Sequence, residues 1–251
     1  MKDIFLAVLS TTWNRKESKL FLLFSLMPIL YLASTFMETS FMNVTSLESG
    51  AKLSFLEMYD GIFNLSFNST LPTLSLFLLI LSVVRSDIEL HRLFLYKDIE
   101  RKKILLSKIL SILSLFALFI LIFSLLMFGV YYLRVIHLPF ASGELLGQDS
   151  WLALFSIFGT ILHHVFYIFL LTMISLFFSN IASIVSGIIL LIFTGILPLF
   201  GKIGLIFPNG FRLLAEEGNF HLAYIGIISL TTFYSLILFY FSLKKFRKVE
   251  F

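Results

Sequence analysis

The chain has 251 residues, of which 59% are hydrophobic and 14% are charged, and its formal net charge is +4. Soluble globular proteins contain about 45–50% apolar and about 25% charged residues, so this composition excludes an ordinary soluble domain and predicts an all-α integral membrane protein. The sequence contains no cysteine, which excludes disulfides and thiolate catalysis, and its basic residues flank apolar runs, which argues for membrane topology and against nucleic-acid binding.

The first predicted element is a helix over residues 1–16. Its apolar face is formed by Ile4, Phe5, Val8, Leu9 and Thr12. This spacing is typical of an amphipathic helix in the cytoplasmic membrane interface, with Trp13 at headgroup depth. The helix is either a plain membrane anchor or a link between the first span and a cytoplasmic partner, and the sequence leaves both open.

Six membrane spans are predicted from the stretches that lack Asp, Glu, Lys and Arg. A helix needs about 20 apolar residues to cross about 30 Å of hydrocarbon. The stretch from Ser150 to Gly201 is about twice too long for one crossing, so it must contain two spans that turn at Ser179-Asn180. The predicted spans cover residues 19–37, 61–84, 109–134, 151–178, 181–200 and 221–243 within one transmembrane domain.

The lysines and arginines are distributed unevenly between the two sides of these spans. The N-terminus, the 85–108 segment and the C-terminal tail hold 15 of the 19, and the other side holds four. Cytoplasmic loops carry the excess of basic residues, so both ends are predicted in the cytoplasm, which agrees with an even number of spans. We therefore expect a multi-pass protein of the cell membrane. The Phe-, Leu-, Ile- and Lys-rich composition suggests a bacterial source.

The 85–108 segment, between the second and third predicted spans, mixes both signs of charge with apolar residues. Its candidate contact residues are Asp87, Glu89, Arg92, Phe94, Tyr96, Lys97, Asp98, Glu100, Arg101 and Lys108. A simple connection would need only a few polar residues. We interpret the segment as one or two short helices with an aromatic tip that docks on another protein. The alternative is a basic loop held to anionic lipid.

The second and fifth predicted spans each carry polar or small residues along one face. These are Asn64, Asn68, Pro72 and Ser75 in the second span, and Ser183, Gly187, Thr194 and Gly195 in the fifth. Polar groups are costly in lipid, and small residues let helices approach closely, so both faces are candidates for a pathway or an interface between two chains. Packing within a single bundle is the alternative, and it explains both patterns at least as well.

Two further features lie in the second half of the chain. His163 and His164, near the middle of the fourth span, are either a pH-sensitive group in a pathway or neutral imidazoles that hydrogen-bond between helices, and we favour the second interpretation. The 202–220 segment contains the turn signal Pro208-Asn209-Gly210. It is either a short re-entrant hairpin or a surface loop.

The order of these features resembles the membrane subunit of type-2 ATP-binding-cassette exporters. The shared features are an amphipathic N-terminal helix, six spans, a charged loop after the second span and a proline-containing hairpin after the fifth. The resemblance implies that the loop is a coupling helix seated on an ATPase, with Glu89, Arg101 and Lys108 as the matching residues. One departure is that Leu90-His91-Arg92-Leu93 follows Glu89, where the family often has a small residue and a Gly-Thr-like pair.

The resemblance also implies partners and cargo. The chain lacks a Gly-x-x-x-x-Gly-Lys-Ser/Thr loop and is not expected to be an enzyme or to hold a cofactor, so two copies of a separate ATPase would bind ATP and magnesium. A second permease chain, identical or paralogous, and membrane lipid are the other expected partners. The expected cargo is an amphipathic or hydrophobic molecule, above all membrane-active peptides such as bacteriocins, lantibiotics or phenol-soluble modulin toxins.

Other interpretations remain open. The cargo could be a drug or a lipid, and a non-transport membrane protein, such as a sensor, an assembly factor or an intramembrane protease, is the alternative from another class. Glu216-Glu217 is similar to the acidic pair of membrane-embedded CAAX-type peptidases. Those enzymes have an arginine four residues after the second acid, which this chain lacks. No catalytic or metal-ligating residue is predicted.

Overall fold

The computed structural model describes residues 1–36, 52–89 and 99–248, and within these ranges the chain is all-helical. The helices are α1 (Lys2–Trp13), α2 (Lys16–Leu23), α3 (Met27–Ser34), α4 (Phe55–Asn68), α5 (Leu71–Val84), α6 (Ser86–Glu89), α7 (Arg101–Leu133), α8 (Ser150–Phe177), α9 (Asn180–Ile196), α10 (Arg212–Glu216) and α11 (Phe220–Phe246). Short 3-10 segments cover Phe24–Leu26, Val135–His137, Leu197–Ile206 and Pro208–Phe211.

Among the described residues, five helical segments are long and apolar enough to cross a membrane. They are Lys16–Ser34, Leu71–Glu89, Arg101–His137, Ser150–Phe177 and Phe220–Phe246. Helix α9 is also apolar, but its 17 residues are fewer than the roughly 20 that a crossing requires. The structure is therefore compatible with a multi-pass membrane protein, whereas the count of six spans and the orientation stay predictions.

The fifth predicted span, over residues 181–200, ends early as an α-helix. Helix α9 stops at Ile196, and the chain continues as the 3-10 segment Leu197–Ile206, in which Gly201 has a positive φ of 62°. Pro198 lacks the backbone N–H that an α-helix would use at that position. The start of this span agrees with the sequence, because Ser179 caps α9 and its side chain accepts a hydrogen bond from the backbone N–H of Ala182.

The second predicted span, over residues 61–84, is two helices and not one. Helix α4 ends at Asn68 and α5 begins at Leu71, with Thr70 between them in the left-handed region at φ 64°. Pro72 lies in the first turn of α5, where its missing N–H costs least. Helix α4 also begins at Phe55, earlier than predicted, because Ser54 and Glu57 form a capping box.

The other predicted spans differ from the helices mainly at their ends. Helix α7 begins at Arg101 instead of residue 109, and α11 continues to Phe246 instead of ending at residue 243. Charged side chains occupy both extensions. The predicted spans stop short of the helix ends because they were limited to stretches without charged residues. The first predicted span, 19–37, is α2 and α3 joined by the 3-10 turn Phe24–Leu26, and residue 37 lies outside the described part of the chain.

Helix α8 lies at the centre of the bundle and packs against α4, α5, α7, α9 and α11. The core beside it contains many aromatic side chains. The Phe21 ring stacks on Phe119 at a centroid distance of 4.8 Å, and the Phe67 ring lies 4.1 Å from the His164 ring. Large apolar side chains on the outside of α7, α9 and α11 are exposed, as expected for surfaces that face lipid.

The N-terminal helix is present as α1, and it packs along α7. Val8 and Thr12 on its predicted apolar face are buried, and the Thr12 and Ser111 hydroxyls are 3.2 Å apart. Lys2 and Asp3 on the other face are exposed. The apolar face therefore contacts protein along part of its length, and a position in the membrane interface stays a prediction.

Candidate functional site

Three charged residues from separate parts of the chain meet at the end of the bundle where α1 joins α2. We call Arg15, Asp87 and Lys108 the Asp87 cluster. Lys108 is only 2% exposed, and its ammonium group donates hydrogen bonds to the Asp87 carboxylate and to the Val83 carbonyl. Nη2 of Arg15 lies 3.3 Å from Oδ1 of Asp87. A single buried carboxylate thus holds two cations.

Local structure explains how each member of the Asp87 cluster reaches it. Arg15 follows the last turn of α1 and precedes α2, so it is held where the N-terminal helix meets the first span. Its Nη1 also donates to the hydroxyl oxygens of Ser82, at 3.1 Å, and Ser86, at 2.8 Å. An unpaired charge in such a buried position would be costly, so these contacts fix the relative positions of α2, α5 and α7.

Glu89 connects the beginning of the 85–108 segment to the turn between α8 and α9. Its carboxylate accepts from Nε of Arg85 at 3.2 Å and from Nδ2 of Asn180 at 2.7 Å. Nη1 of Arg85 donates in turn to the Ser175 carbonyl at 3.2 Å. The acid in contact with Lys108 is therefore Asp87, whereas Glu89 bonds to Arg85 and Asn180.

Arg101 connects the other end of the same segment to the end of α11. Its Nη1 donates to the Phe246 carbonyl at 3.1 Å, and its guanidinium lies 5.8 Å from the centroid of the Phe246 ring. Glu100 forms a more exposed ion pair with Lys103, at 3.2 Å, which is worth little by itself. Both ends of the charged segment are thus attached to the helix bundle.

The centre of the predicted docking loop lies outside the described residues. This part contains five of its candidate residues: Arg92, Phe94, Tyr96, Lys97 and Asp98. The predicted aromatic tip and its short helices are therefore untested, apart from the single turn α6 at the beginning of the segment. What the structure describes is how the two ends of the loop are held.

The polar face of the second predicted span is divided between the two helices that replace it. Oδ1 of Asn64 accepts from the Thr160 hydroxyl at 2.6 Å, and its Nδ2 donates to the Ser156 hydroxyl at 3.0 Å, so Asn64 joins α4 to α8. Ser75 bonds to the Pro72 carbonyl of its own helix at 2.7 Å, whereas Asn68 is exposed. Packing within the chain accounts for Asn64, and Asn68 is open to another partner.

The small residues of the fifth predicted span are divided in a similar way. Ser183 and Thr194 are buried within the bundle. A Cβ on Gly187 would lie 2.9 Å from the Phe77 ring and 3.0 Å from Leu171, so this glycine allows α9 to approach α5 and α8 of the same chain. A Cβ on Gly195 would meet nothing within 4 Å, which leaves that position open.

The two histidines have different surroundings. Nδ1 of His164 lies 2.7 Å from the Thr160 carbonyl and Nε2 lies 3.1 Å from the Thr73 hydroxyl. A carbonyl only accepts, so we assign a proton to Nδ1, and the ring joins α8 to α5 through its two nitrogens. His163 packs on the Tyr167 ring at 4.4 Å, and its Nδ1 has no hydrogen-bond partner within the described part of the chain.

Sequence reasoning missed Arg15 and Asn180 as members of this site. A signal existed for Arg15. A lysine buried in a helix needs a carboxylate partner, and a basic residue near that carboxylate completes the Asp87 cluster. No signal existed for Asn180, because the sequence pattern at that position indicates only a turn. Its contact with Glu89 depends on how the α8–α9 turn lies against α5, and spacing along one helix does not report this.

The described residues contain no group of three or more His, Cys, Asp or Glu side chains that could hold a metal ion. Comparisons with models of protein families, with curated proteins and with solved structures find no match to the chain. The candidate site therefore has to be interpreted from its own geometry and from the sequence pattern.

Proposed function

We propose that the chain is the permease subunit of an ATP-driven exporter and that its 85–108 loop receives force from a separate ATPase. The observation that carries the proposal is the attachment of both ends of the loop. One end bonds through Asp87 to Arg15 and Lys108 and through Glu89 to Asn180, and the other bonds through Arg101 to Phe246. A displacement of the loop is therefore transmitted to the first span, to α7, to the α8–α9 turn and to α11.

The energetics of the Asp87 cluster favour such a role. Removing one partner of a buried, hydrogen-bonded ion pair costs about 3–5 kcal/mol, which is far more than an exposed pair contributes. A loop attached through such contacts moves together with its helices. A simple connection held to lipid would not need a buried lysine.

The remaining parts of the proposal rest on the sequence pattern and on the resemblance. The working unit contains two permease chains and two ATPases, which bind ATP and magnesium, in the cell membrane with the loop in the cytoplasm. Membrane-active amphipathic peptides are the proposed cargo, because the interior is apolar and rich in phenylalanine. Gly195 is exposed, and this is one position where a second chain can approach.

Co-purification with an ATPase, together with charge reversal in the loop, tests the proposal. Full-length chain carrying Glu89→Lys and Arg101→Glu is compared with the Glu144→Lys variant, whose exposed carboxylate lies at the other end of the bundle. We expect the loop variants to lower the amount of bound ATPase by about tenfold, since about 1.4 kcal/mol of lost contact suffices. The Glu144→Lys variant should retain the ATPase. The docking interpretation is wrong if the loop variants retain it equally well.

The same complex in lipid tests the proposed cargo and the proposed class of protein. Amphipathic helical peptides should raise its ATPase rate, and Asn68→Leu should lower this stimulation while the basal rate persists. A rate that responds only to drugs or lipids would replace peptides as the cargo. A chain with which no ATPase co-purifies would instead be a non-transport membrane protein.

A further inference from the structure

A cavity of about 590 Å³ lies at the end of the bundle opposite the Asp87 cluster. It is lined by α4, α5, the first half of α8, the end of α9 and the Pro208–Glu216 segment. Binding sites for small molecules commonly have volumes of about 300–1,000 Å³, so the cavity is large enough for an organic ligand. It shares no residue with the charged loop.

Two buried polar atoms at this cavity have no hydrogen-bond partner among the described residues. They are Nδ1 of His163 and Oδ1 of Asn209. His163 is 8% exposed, and both residues line the cavity. Nδ2 of Asn209 donates to the Thr194 carbonyl at 2.7 Å. This bond fixes the orientation of the amide and leaves its oxygen without a donor. Buried polar groups are nearly always hydrogen-bonded, so these two atoms have unused hydrogen-bonding capacity beside the cavity.

Among the other polar residues that line the cavity, Asn68 and Thr70 are exposed, whereas several of the rest bond within the chain. Asn64 bonds to Ser156 and Thr160, and the Tyr167 and Thr194 hydroxyls bond to each other. The unused hydrogen-bonding capacity of buried side chains at the cavity therefore lies with His163 and Asn209, and it sets the requirement that a ligand has to meet.

The two charged residues that line the cavity, Arg212 and Glu216, form an ion pair with each other. Nε of Arg212 lies 2.9 Å from Oε1 of Glu216, and Arg212 also reaches the Ser156 hydroxyl at 3.5 Å. The Asp60 carboxylate accepts from the Asn64 amide and does not line the cavity. A charged ligand would be buried without a free counter-charge, which is costly, so the cavity favours an uncharged one.

The two unpartnered atoms define the head group of that ligand. The amide oxygen of Asn209 accepts only, whereas a neutral imidazole nitrogen accepts or donates according to its tautomer. A hydroxyl or a primary amide can donate to Asn209 and still bond to His163. A carboxylate has no proton for Asn209. The walls between these polar groups include Phe67, Phe155 and Leu191, which suit an apolar body.

We propose that this cavity is a binding site for an uncharged amphiphile, whose hydroxyl or primary amide head group hydrogen-bonds to His163 and Asn209. The site is separate from the charged loop and does not depend on the exporter proposal, although Asn68, the residue used above to test the cargo, also lines it. The segment Pro208–Glu216 then forms one wall of the ligand site, and Asn209 is the residue of this segment that bonds to the ligand.

The chain contains no cysteine, so a single introduced cysteine can report occupancy of the cavity. Gly195→Cys places the thiol at the cavity, where a Cβ meets nothing within 4 Å. Val185→Cys is the matched control, because it lies on the same helix, is exposed and does not line the cavity. The rate of reaction with N-ethylmaleimide is measured on purified full-length protein in lipid nanodiscs.

The probes are four eight-carbon amphiphiles that differ only in the head group: octanol, octanamide, octylamine and octanoate. We expect octanol and octanamide to slow labelling of Gly195→Cys, and octylamine and octanoate to act about tenfold more weakly. Labelling of Val185→Cys should not change. Added to the reporter, His163→Phe and Asn209→Leu should each weaken the protection by octanol about tenfold.

Three results would overturn the proposal. Equal protection by all four probes would mean that only the apolar body binds. Equal protection of Val185→Cys would mean that the probes act by entering the lipid. No protection by octanol or octanamide would mean that the cavity holds water alone. Because these results come from the Gly195→Cys and Val185→Cys reporters, the test remains decisive even if His163→Phe does not fold.

Discussion

Lys108 and Asp87 allow a direct test of the charged cluster at the scale of single residues. Asp87→Asn leaves Lys108 and Arg15 without their shared carboxylate, whereas Lys108→Met leaves Asp87 paired with Arg15 at 3.3 Å. We therefore expect Asp87→Asn to lower the free energy of unfolding by about 3–5 kcal/mol, and Lys108→Met to lower it less. Equilibrium unfolding of the purified chain in mixed micelles measures both.

The double variant Asp87→Asn/Lys108→Met is the control for this prediction. It removes the buried cation together with its carboxylate, so its stability should recover toward that of Lys108→Met alone. Additive losses in the double variant would show that the two side chains do not interact as described.

The two glycines of α9 give a second prediction for single residues. Alanine at Gly187 would bring its Cβ to 2.9 Å from the Phe77 ring, whereas alanine at Gly195 would meet nothing within 4 Å. Gly187→Ala should therefore lower the free energy of unfolding by about 1–3 kcal/mol, and Gly195→Ala should leave it unchanged or raise it slightly. Equal effects in thermal unfolding of the two variants would contradict the packing of α9 against α5.

At the scale of elements, the break between α4 and α5 depends on Thr70. A non-glycine residue in the left-handed region costs about 1–2 kcal/mol, and Thr70 has a φ of 64°. Thr70→Gly should therefore raise the free energy of unfolding by about 1 kcal/mol. The neighbouring Ser69→Gly, at a helical φ of −63°, should lower or not change it. The description of the break fails if Ser69→Gly stabilises the chain more than Thr70→Gly does.

The sequence predicted where apolar helices lie more reliably than where they begin. Charge-free stretches located α8 and α11 closely, but α4 begins before Asp60 and α7 begins at Arg101, within charged sequence. Charged side chains in the end turns of a helix project toward water, so a rule that stops at charges shortens helices. The capping box of Ser54 and Glu57 was readable as a helix start in the sequence.

The candidate site was predicted in part. The sequence identified the charged segment and its residues Asp87, Glu89 and Lys108. It did not show which acid contacts Lys108. Both acids lie in helix α6, directly after α5, and the rotation of this helix decides which of them faces Lys108. The remaining contacts join distant segments, such as Arg15 with Asp87 and Arg101 with Phe246, and no local pattern encodes them.

At the scale of the whole molecule, orientation is the next prediction. Cysteines at Asn14 and Lys248 should react only with reagents that enter the cytoplasm, whereas cysteines at Gln148 and Asn219 should react from outside. All four positions are exposed, so a thiol at each of them is accessible to the reagent. Labelling of intact cells with an impermeant maleimide measures this, and a reversed position would contradict the assignment of the charged end to the cytoplasm.

The measurement that tests the central claim most directly is photo-cross-linking from the loop. A photoreactive phenylalanine replaces Phe94 in full-length chain co-expressed with its candidate ATPase, and the same group replaces Trp151 as a control. Trp151 is 70% exposed and lies at the other end of the bundle. We predict a covalent adduct with the ATPase from position 94 and none from position 151. An adduct from both positions, or no adduct from position 94 while the ATPase is present, would contradict the account.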